Sequence, residues 1–298
     1  MAITGIADVD EHIQEVWSKL LIIAREKNLI WGTLFDRRYE AETSGVPTDT
    51  IRVPGVDNWS TAAVSYAIEG EAITYVDGDE AVPANVTIGG TMTDTDATTP
   101  YRHFYFAFEV AKNAQLFTDP GLVSALTDKA GYHVSLEFDT YLAGFADAFS
   151  NSVGTINVTL EDDDIIEATR ILNSANVPFG DRAFVFSEHQ DAEFKKVERY
   201  TNKDYASAVG ELKTARERGY IGTIHGLDWY TTTNVEANGS GHENAIFHKE
   251  VVAVVQKDKM RTEGPFYDIT NDSDQYAVHN IYTAQEMRDD HGVLANGK

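Results

Sequence analysis

The sequence predicts an α+β fold, and three observations lead to that prediction. Residues 101–110 alternate along the chain, with Phe104, Phe106 and Phe108 on one side, which is typical of a strand with one apolar face. A helical pattern covers residues 120–149. Further strands are predicted at 220–233, 246–257 and 276–284.

The first predicted element is an amphipathic helix over residues 8–31. Val16, Trp17 and Leu20 recur at helical spacing, and acidic residues crowd the first turn, where the helix dipole favours negative charge. Residues 48–100 have a different composition: they are rich in Thr, Asp, Gly and Val, and their apolar and polar residues alternate only weakly. We expect a long β-hairpin or extended loop there, and a segment of that length with little core of its own indicates a function.

The long helix after the aromatic strand has a clear start signal. Asp119 is suited to the N-cap and Pro120 to the first helical position. Apolar residues then continue at spacings of three and four: Leu122, Leu126, Ala130, Val134, Phe138, Tyr141, Phe145 and Phe149. Thirty residues of helix would reach roughly 45 Å, so this element is expected to act as a strut.

A second α/β unit follows the strut. A helix is predicted around 165–172 and a short buried strand at 183–186. Ser187 with Gln190 predicts a capping box for another helix, which should reach about Tyr200. The last residues of the chain are expected to fray.

Composition excludes several classes of function. The chain of 298 residues contains no cysteine, so disulfides, thiolate catalysis and zinc–thiolate sites are excluded. Its 48 acidic and 24 basic residues give a net charge of −24, which opposes binding to nucleic acid and to anionic membranes. Three interpretations of the charge remain open: adaptation to high salt, basic partners, or a container wall that must not bind DNA.

The sequence predicts neither membrane insertion nor secretion. The first eight residues lack a basic region followed by an apolar one, and no stretch approaches ~18 consecutive apolar residues. We therefore expect a soluble protein of the cytoplasm. Sequence-specific nucleic-acid binding is not expected either.

No constellation in the sequence predicts catalysis, a cofactor or a metal. The acidic run 161–164 is best interpreted as the first turn of a helix, and the nine histidines stand apart, so no metal triad can be nominated. Gly219, Gly222 and Gly226 lie inside a strand pattern and indicate bulges or close backbone approach, not a dinucleotide site. A glycosidase-like carboxylate pair stays open, because 48 acidic residues always offer pairs.

The order of several stretches matches a known family. They are VSALTDKA at 123–130 with LEFDTYLAGFA at 136–146, ATRILNSANVPFGDRAFVF at 168–186, GTIHGLDWY at 222–230, and AIFHKEVVAVVQ at 245–256. In this order the chain resembles the HK97-fold major capsid proteins of tailed bacteriophages, particularly the branch of the P22 coat protein. The resemblance covers most of residues 100–298.

The resemblance implies a division of the chain into known parts. Residues 1–47 would form the N-arm, and 48–100 an extended β-hairpin, the E-loop, which overlaps a neighbouring subunit. Residues 101–150 would supply the strand and long spine helix of the P-domain, and 151–245 the A-domain around the symmetry axes. Residues 246–298 would return to the P-domain and complete both domains.

The resemblance also implies a function without catalysis. The chain would assemble with itself into the pentamers and hexamers of an icosahedral shell that encloses phage double-stranded DNA. Its partners would be a scaffolding protein and a portal, with a decoration protein also possible. Assembly would take place in the cytoplasm of a bacterial host, and the final location would be the virion.

On this interpretation, subunit contacts are expected on the two extended segments. The predicted residues are Trp17, Arg37 and Arg38 of the N-arm and Arg52, Trp59, Glu69, Glu71 and Asp77 of the E-loop. Opposite charges on neighbouring subunits would pair there.

Three other hypotheses stay open at this point. An acidic hydrolase adapted to salt would need a carboxylate pair in a cleft. An encapsulin nanocompartment would share the architecture and differ in its cargo. A β-rich tail or adhesin module is disfavoured by the long capped helix.

Overall fold

A computed structural model describes residues 27, 29–43, 50–53, 86–89, 102–112, 121–196 and 220–298. The helices are α1 (Trp31–Leu34), α2 (Glu40–Thr43), α3 (Gly121–Ala143), α4 (Asp162–Ser174) and α5 (Glu188–Phe194), with 3₁₀ turns at Gly144–Ala146, Lys249–Val251 and Asp289–His291. The strands are β1 (Thr50–Val53), β2 (Val86–Gly89), β3 (Arg102–Ala111), β4 (Ser152–Gly154), β5 (Arg182–Phe186), β6 (Tyr220–Ile224), β7 (Leu227–Thr231), β8 (Ala237–Asn238), β9 (Gly241–His248), β10 (Val252–Asp268), β11 (Ser273–Glu286) and β12 (Gly292–Gly297). Within these ranges, no helix has the length and apolarity needed to span a membrane.

The larger sheet has seven strands and mixed direction. Six of them follow the order β4-β12-β9-β5-β7-β6, and β8 pairs with β9. The β12–β4 and β5–β7 pairs are parallel, and the other neighbours are antiparallel. The sheet is therefore assembled from segments distant in sequence, and its centre consists of β12, β9 and β5.

Strand β5 is central and has both faces buried. Ala183 and Val185 enter one hydrophobic cluster, whereas Phe184 and Phe186 enter another on the opposite face. This follows from the two-residue period of a strand, which sends successive side chains to opposite sides. A run of apolar residues without alternation is thus explained by burial on both faces.

The smaller sheet has three antiparallel strands in the order β10-β11-β3. Helix α3 packs against it, and Val134 of the helix is buried with Val278 of β11. The alternation predicted for 101–110 is present in part: Phe104 and Phe108 are partly buried and Tyr105 and Glu109 are exposed, but Phe106, predicted on the apolar face, is 40% exposed. A separate antiparallel pair, β1 with β2, places Ile51 opposite Ile88.

A short N-terminal segment joins the two sheets. The ring centroid of Trp31 lies 5.9 Å from that of Phe35 and 5.8 Å from that of Phe247 in β9, and all three side chains are buried. The same cluster includes Val252 and Val254 at the start of β10. The hydrophobic core is therefore continuous from the seven-stranded sheet to the three-stranded one.

The strut is shorter as an α-helix than the sequence predicts. Helix α3 ends at Ala143 after 23 residues, about 35 Å, and continues as the 3₁₀ turn Gly144–Ala146. Ala146 and Phe149 remain buried, because a 3₁₀ turn has three residues per turn and preserves their spacing. The predicted start at 119–120 and the predicted N-terminal helix 8–31, apart from Trp31, lie almost wholly outside the described residues.

Two predictions for the C-terminal part were wrong. The strand predicted at 246–257 is interrupted by the 3₁₀ turn Lys249–Val251, where the chain crosses from the larger sheet to the smaller one. The last residues do not fray, because β12 pairs with both β4 and β9 and buries Val293 and Ala295. Strand β12 has only six residues and so gives little signal in the sequence. Its central place in the sheet becomes evident only from its pairing with β4 and β9.

In the second α/β unit the cap at Ser187 is confirmed, but the helix predicted to reach about Tyr200 ends at Phe194, and the strand predicted at 220–233 is two strands joined by a turn. The Ser187 hydroxyl accepts a hydrogen bond from the Gln190 backbone N–H, as expected of an N-cap. The other half of the capping box is absent, because the Gln190 side chain instead bonds the backbone N–H and C=O of Leu160. His225 and Gly226, both at positive φ, form the two-residue turn between β6 and β7, and Gly222 lies at a register shift.

Removal of the Trp31 ring should destabilise the whole fold. Trp31→Ala would delete a fully buried aromatic side chain between the two sheets and leave a cavity, so we expect a loss of about 3–5 kcal/mol in the free energy of unfolding. Urea denaturation of the unassembled chain, followed by tryptophan fluorescence and circular dichroism, measures this loss.

Ile269→Ala provides the matched control for this prediction. It also truncates a large apolar side chain, but one that is 83% exposed, and it should change stability by no more than ~0.5 kcal/mol. Equal effects of the two substitutions would contradict the role assigned to Trp31.

Candidate functional site

The β10–β11 hairpin carries exposed apolar side chains at its far end. Its base is fully buried at Val252–Val255, and its strands extend roughly 50 Å from there. At the tip, Phe266, Tyr267 and Ile269 are 60%, 56% and 83% exposed. Exposed apolar side chains grouped at one end of a hairpin are candidates for an interaction site. We call these three residues the hairpin tip.

The two faces of the three-stranded sheet differ in chemistry. On the face toward α3, Phe104 stacks on Tyr282 with centroids 4.9 Å apart, and Phe108 stacks on Tyr276 at 5.1 Å. Ring stacking between neighbouring strands fixes the register of β3 on β11. This face is thus an ordinary core face. In the described chain β3 pairs with β11 and lies at the sheet edge.

The opposite face carries polar and titratable groups. His103 Nε2 and His279 Nδ1 are 3.1 Å apart, and His279 Nε2 lies 3.7 Å from a carboxylate oxygen of Glu263. Arg261 pairs with the same carboxylate at 3.0 Å, and Tyr105 beside them is exposed. The face can therefore exchange hydrogen bonds and ion pairs with a partner.

A buried polar junction fastens the N-terminal segment to α3. One Asp139 oxygen accepts a hydrogen bond from the Gly32 backbone N–H at 3.3 Å, and the other accepts from the Asn234 side chain at 2.9 Å. The Trp31 indole N–H donates to the Asn234 carbonyl at 2.8 Å. Burial raises the pKa of Asp139 to about 6, although these hydrogen bonds act in the opposite direction. The junction thus connects α1, α3 and the loop after β7.

Arg37 and Arg38, predicted at a subunit contact, make bonds within the chain. Arg38 pairs with Asp36 at 2.6 Å and with Glu250 at 3.0 Å. Arg37 donates to the Gln256 side chain at 2.8 Å and also pairs with a glutamate of α2. Both arginines therefore help to hold the N-terminal segment on β10. Their contact with a neighbouring subunit stays a prediction.

The other predicted contact residues are barely covered by the structure. Arg52 lies in β1 opposite Thr87, and only its backbone is described. The remaining predicted residues lie outside the described residues: Trp17, Trp59, Glu69, Glu71 and Asp77. Their role therefore stays a prediction.

The acidic run before α4 acts as expected. Asp164 accepts a hydrogen bond from the Glu161 backbone N–H at 2.9 Å, which caps the start of the helix. Asp162 lies 2.9 Å from His225 on the neighbouring hairpin turn. These carboxylates are explained by the helix terminus and by one ion pair.

The interpretation that the histidines stand apart was wrong. The structure brings six of the nine together in three pairs: His103 with His279, His189 with His242, and His248 with His291. Each pair joins residues distant in sequence: His103 and His279 lie on paired strands, His248 and His291 lie beside the β9–β12 pair, and His189 of α5 meets His242 of β9. Only a correct strand order, including the central position of β12, would have revealed the third pair.

Comparison with sequence models of protein families and with curated proteins gives no match. Solved structures do match. The chain resembles a structure from Mycobacterium phage Che8, with a TM-score of 0.71 and 18% identity over 96% of this chain and 97% of that one. It also resembles the capsid of cyanophage P-SCSP1u (TM-score 0.73, 14% identity, 97% and 94% covered) and the mature capsid of bacteriophage PhiM1 (0.66, 14%, 95% and 91%).

The chain has the HK97-type capsid fold. The likeness extends over nearly the full length of each partner, so it includes both sheets and α3. At 14–18% identity it shows the fold alone. The expectation of an HK97-like α+β fold is confirmed, whereas membership in the P22 branch stays a prediction.

The Asp139 junction should make stability depend on pH. Its pKa is raised above the ordinary value of 3.8, so the folded state binds this proton more tightly than the unfolded state does. The contribution is therefore most favourable below pH 4 and declines as the pH rises through 6, by up to ~3 kcal/mol. Asp139→Asn should flatten this part of the profile, as measured by urea denaturation between pH 4 and pH 7.5.

Asp128→Asn is the control for that measurement. It removes one negative charge from the exposed side of the same helix, and it should leave the shape of the wild-type profile unchanged. If the pH dependence in Asp139→Asn equalled that in Asp128→Asn, the junction would not be its source.

Proposed function

We propose that the chain is a major capsid protein that assembles into the pentamers and hexamers of an icosahedral phage shell around double-stranded DNA. The observation that supports this most is the shared fold with the capsids of P-SCSP1u and PhiM1 over nearly the whole chain. Because fold alone does not determine function, surface features of this chain have to agree with the role.

The shape of the subunit supports assembly with copies of itself. A hairpin of roughly 50 Å projects an apolar tip away from the core, and a monomer in water gains nothing from that arrangement. A contact between unlike surfaces of identical subunits closes into a ring when the rotation fits, and rings of five and six build a shell. We therefore propose that the hairpin tip contacts a second copy of the chain.

We assign the two sheets to the two domains that the fold implies. The three-stranded sheet with α3 would be the P-domain with its spine helix, and the seven-stranded sheet with α4 and α5 would be the A-domain. The boundary at residue 245 needs adjustment, because β9 and β12 both belong to the larger sheet. The β1–β2 pair would form the base of the E-loop.

The net charge of −24 agrees with a container for DNA. Binding to phosphates requires clustered Lys and Arg that displace counterions, and this chain has twice as many acidic as basic residues. A wall of many such subunits repels packaged DNA and leaves it free to exit. The same charge opposes assembly, so the contacts between subunits have to be substantially apolar.

The rival functions have less support. A concave site in the described chain lies beside α4 and is lined by Ile166, Thr169, Arg170, Asn173, Ser174 and His225. It is an open groove without a carboxylate, so it does not provide the acid pair that the hydrolase hypothesis requires. An encapsulin would share the fold, but the capsids of P-SCSP1u and PhiM1, which resemble this chain, come from phages.

Electron microscopy tests the proposal directly. The recombinant chain is examined in negative stain after size exclusion, alone and with a candidate scaffolding protein. Shells, or rings and tubes of five- and six-fold capsomers, are the expected result. A monomer or dimer that never assembles in either condition would refute the capsid function, and cargo in place of DNA would indicate a nanocompartment.

A charge at the hairpin tip should block assembly without unfolding the subunit. Ile269→Asp adds a carboxylate to a side chain that is 83% exposed in the subunit, so stability should change by no more than ~0.5 kcal/mol. In an apolar subunit contact the same carboxylate loses its hydration. We expect the critical concentration for assembly to rise at least ~10-fold, the equivalent of 1.4 kcal/mol per contact. Light scattering against protein concentration measures it.

Ile166→Asp is the matched control. It makes the same chemical change at an exposed position on α4, which packs against the seven-stranded sheet and not the sheet that carries the hairpin tip. It should leave the critical concentration unchanged. Normal assembly of Ile269→Asp, or equal defects in the two variants, would rule out the tip as the contact.

A further inference from the structure

Strand pairing brings two histidines and a glutamate together where the chain passes between its sheets. His248 is the last residue of β9, and His291 immediately precedes β12. Phe247 pairs with Gly292 in the β9–β12 ladder. His248 and His291, the next residues beyond that pair, therefore lie side by side. Glu250 belongs to the 3₁₀ turn that follows β9. His248 and Glu250, from the end of β9 and the turn after it, thus lie close to His291 from the turn before β12.

The ligand atoms of these residues are close together and poorly satisfied. One imidazole nitrogen from each histidine and one carboxylate oxygen of Glu250 lie within 4.8 Å of one another. Both imidazoles are at least nine-tenths buried, and His291 Nδ1 is buried without a hydrogen-bond partner. His248 Nδ1 accepts only a long bond, 3.3 Å, from the Glu250 backbone N–H. A buried nitrogen without a partner is costly, which indicates that it has a ligand to bind.

Electrostatics around the cluster suits a cation. Both imidazoles are buried beside Glu250, and an imidazole nitrogen that carries no proton offers a lone pair to a metal. Glu250 supplies negative charge, and its pairing with Arg38 uses one of the two carboxylate oxygens. The charges of the other neighbours nearly cancel, because Asp181 and Asp290 are negative and Arg182 and Arg288 are positive.

We propose that His248, Glu250 and His291 form a binding site for a divalent transition-metal ion, with Zn²⁺ as the best fit. Two imidazole nitrogens and one carboxylate oxygen form a common zinc ligand set, and water completes the tetrahedron. Ligand atoms around zinc lie about 3.4 Å apart, so small side-chain rotations suffice to close the present separation. Ca²⁺ and Mg²⁺ prefer oxygen ligands alone and fit poorly.

The ion would act as a structural link between the sheets. It would tie the end of β9 and the turn leading into β10 to the turn that precedes β12. Arg38 connects the same carboxylate to the N-terminal segment. This proposal concerns the subunit itself and does not depend on the capsid function, because every ligand comes from one chain.

Zinc binding by the full chain tests the proposal. Chain stripped of metal is titrated with Zn²⁺ against a chromophoric chelator, and one tightly bound ion per subunit is the expected result. His248→Gln with His291→Gln should weaken this binding by more than ~100-fold, since loss of even a hydrogen-bond partner of a ligand typically costs ~10–100-fold. Co²⁺ in place of Zn²⁺ should give the visible absorption of a tetrahedral site in the wild type and lose it in the double variant.

A second double variant separates this site from general histidine binding. His133→Gln with His225→Gln also removes two histidines, neither of them in a histidine pair, and should bind Zn²⁺ as the wild type does. Circular dichroism checks that each variant folds, and Glu250→Gln, expected to weaken binding at least ~10-fold, replaces the first variant if it does not. No tight ion in the wild type, or equal binding by all variants, would overturn the proposal.

Discussion

The packing of Trp31 and Phe35 against Phe247 is the contact on which the rest of the structure depends. It lies in the hydrophobic cluster that a seven-stranded sheet and a three-stranded sheet share. The backbone supports the same contact, because Asp36 bonds Val252 and Val254 and thereby pairs with β10 as a short bridge. A segment from the beginning of the chain thus determines how the C-terminal strands are positioned relative to one another.

Two polar sites lie at this connection and act on different parts of it. The Asp139 junction holds α1 against α3 from within the core, where burial raises the pKa of the carboxyl. The cluster of His248, Glu250 and His291 lies where the chain leaves the larger sheet. In a shell of the proposed kind, the angle between the sheets sets the shape of each capsomer. Groups that stiffen the connection would therefore influence assembly without touching a neighbouring subunit.

Local rules predicted the elements whose signals lie within a few residues. The alternation of β3, the Ser187 cap and the acidic start of α4 are examples, since each depends on backbone periodicity or on orphan N–H groups. Elements decided by distant pairing were missed. Strand β12 looks like a C-terminal tail until β4 and β9 enclose it, and the pair of His248 and His291 exists only because that strand is in place. The tertiary context, not propensity, determined these features.

The contact surface was the least predictable feature, for a reason of physics. Charged residues attract attention as interface candidates, but Arg37 and Arg38 find their partners inside the subunit. Exposed apolar residues such as Phe266 and Ile269 look in sequence like an ordinary strand and its turn. Subunits at −24 repel one another, and salt screens that repulsion only beyond about 8–10 Å. Attraction at short range then has to come from apolar burial, which favours the hairpin tip over charged positions as the place where copies meet.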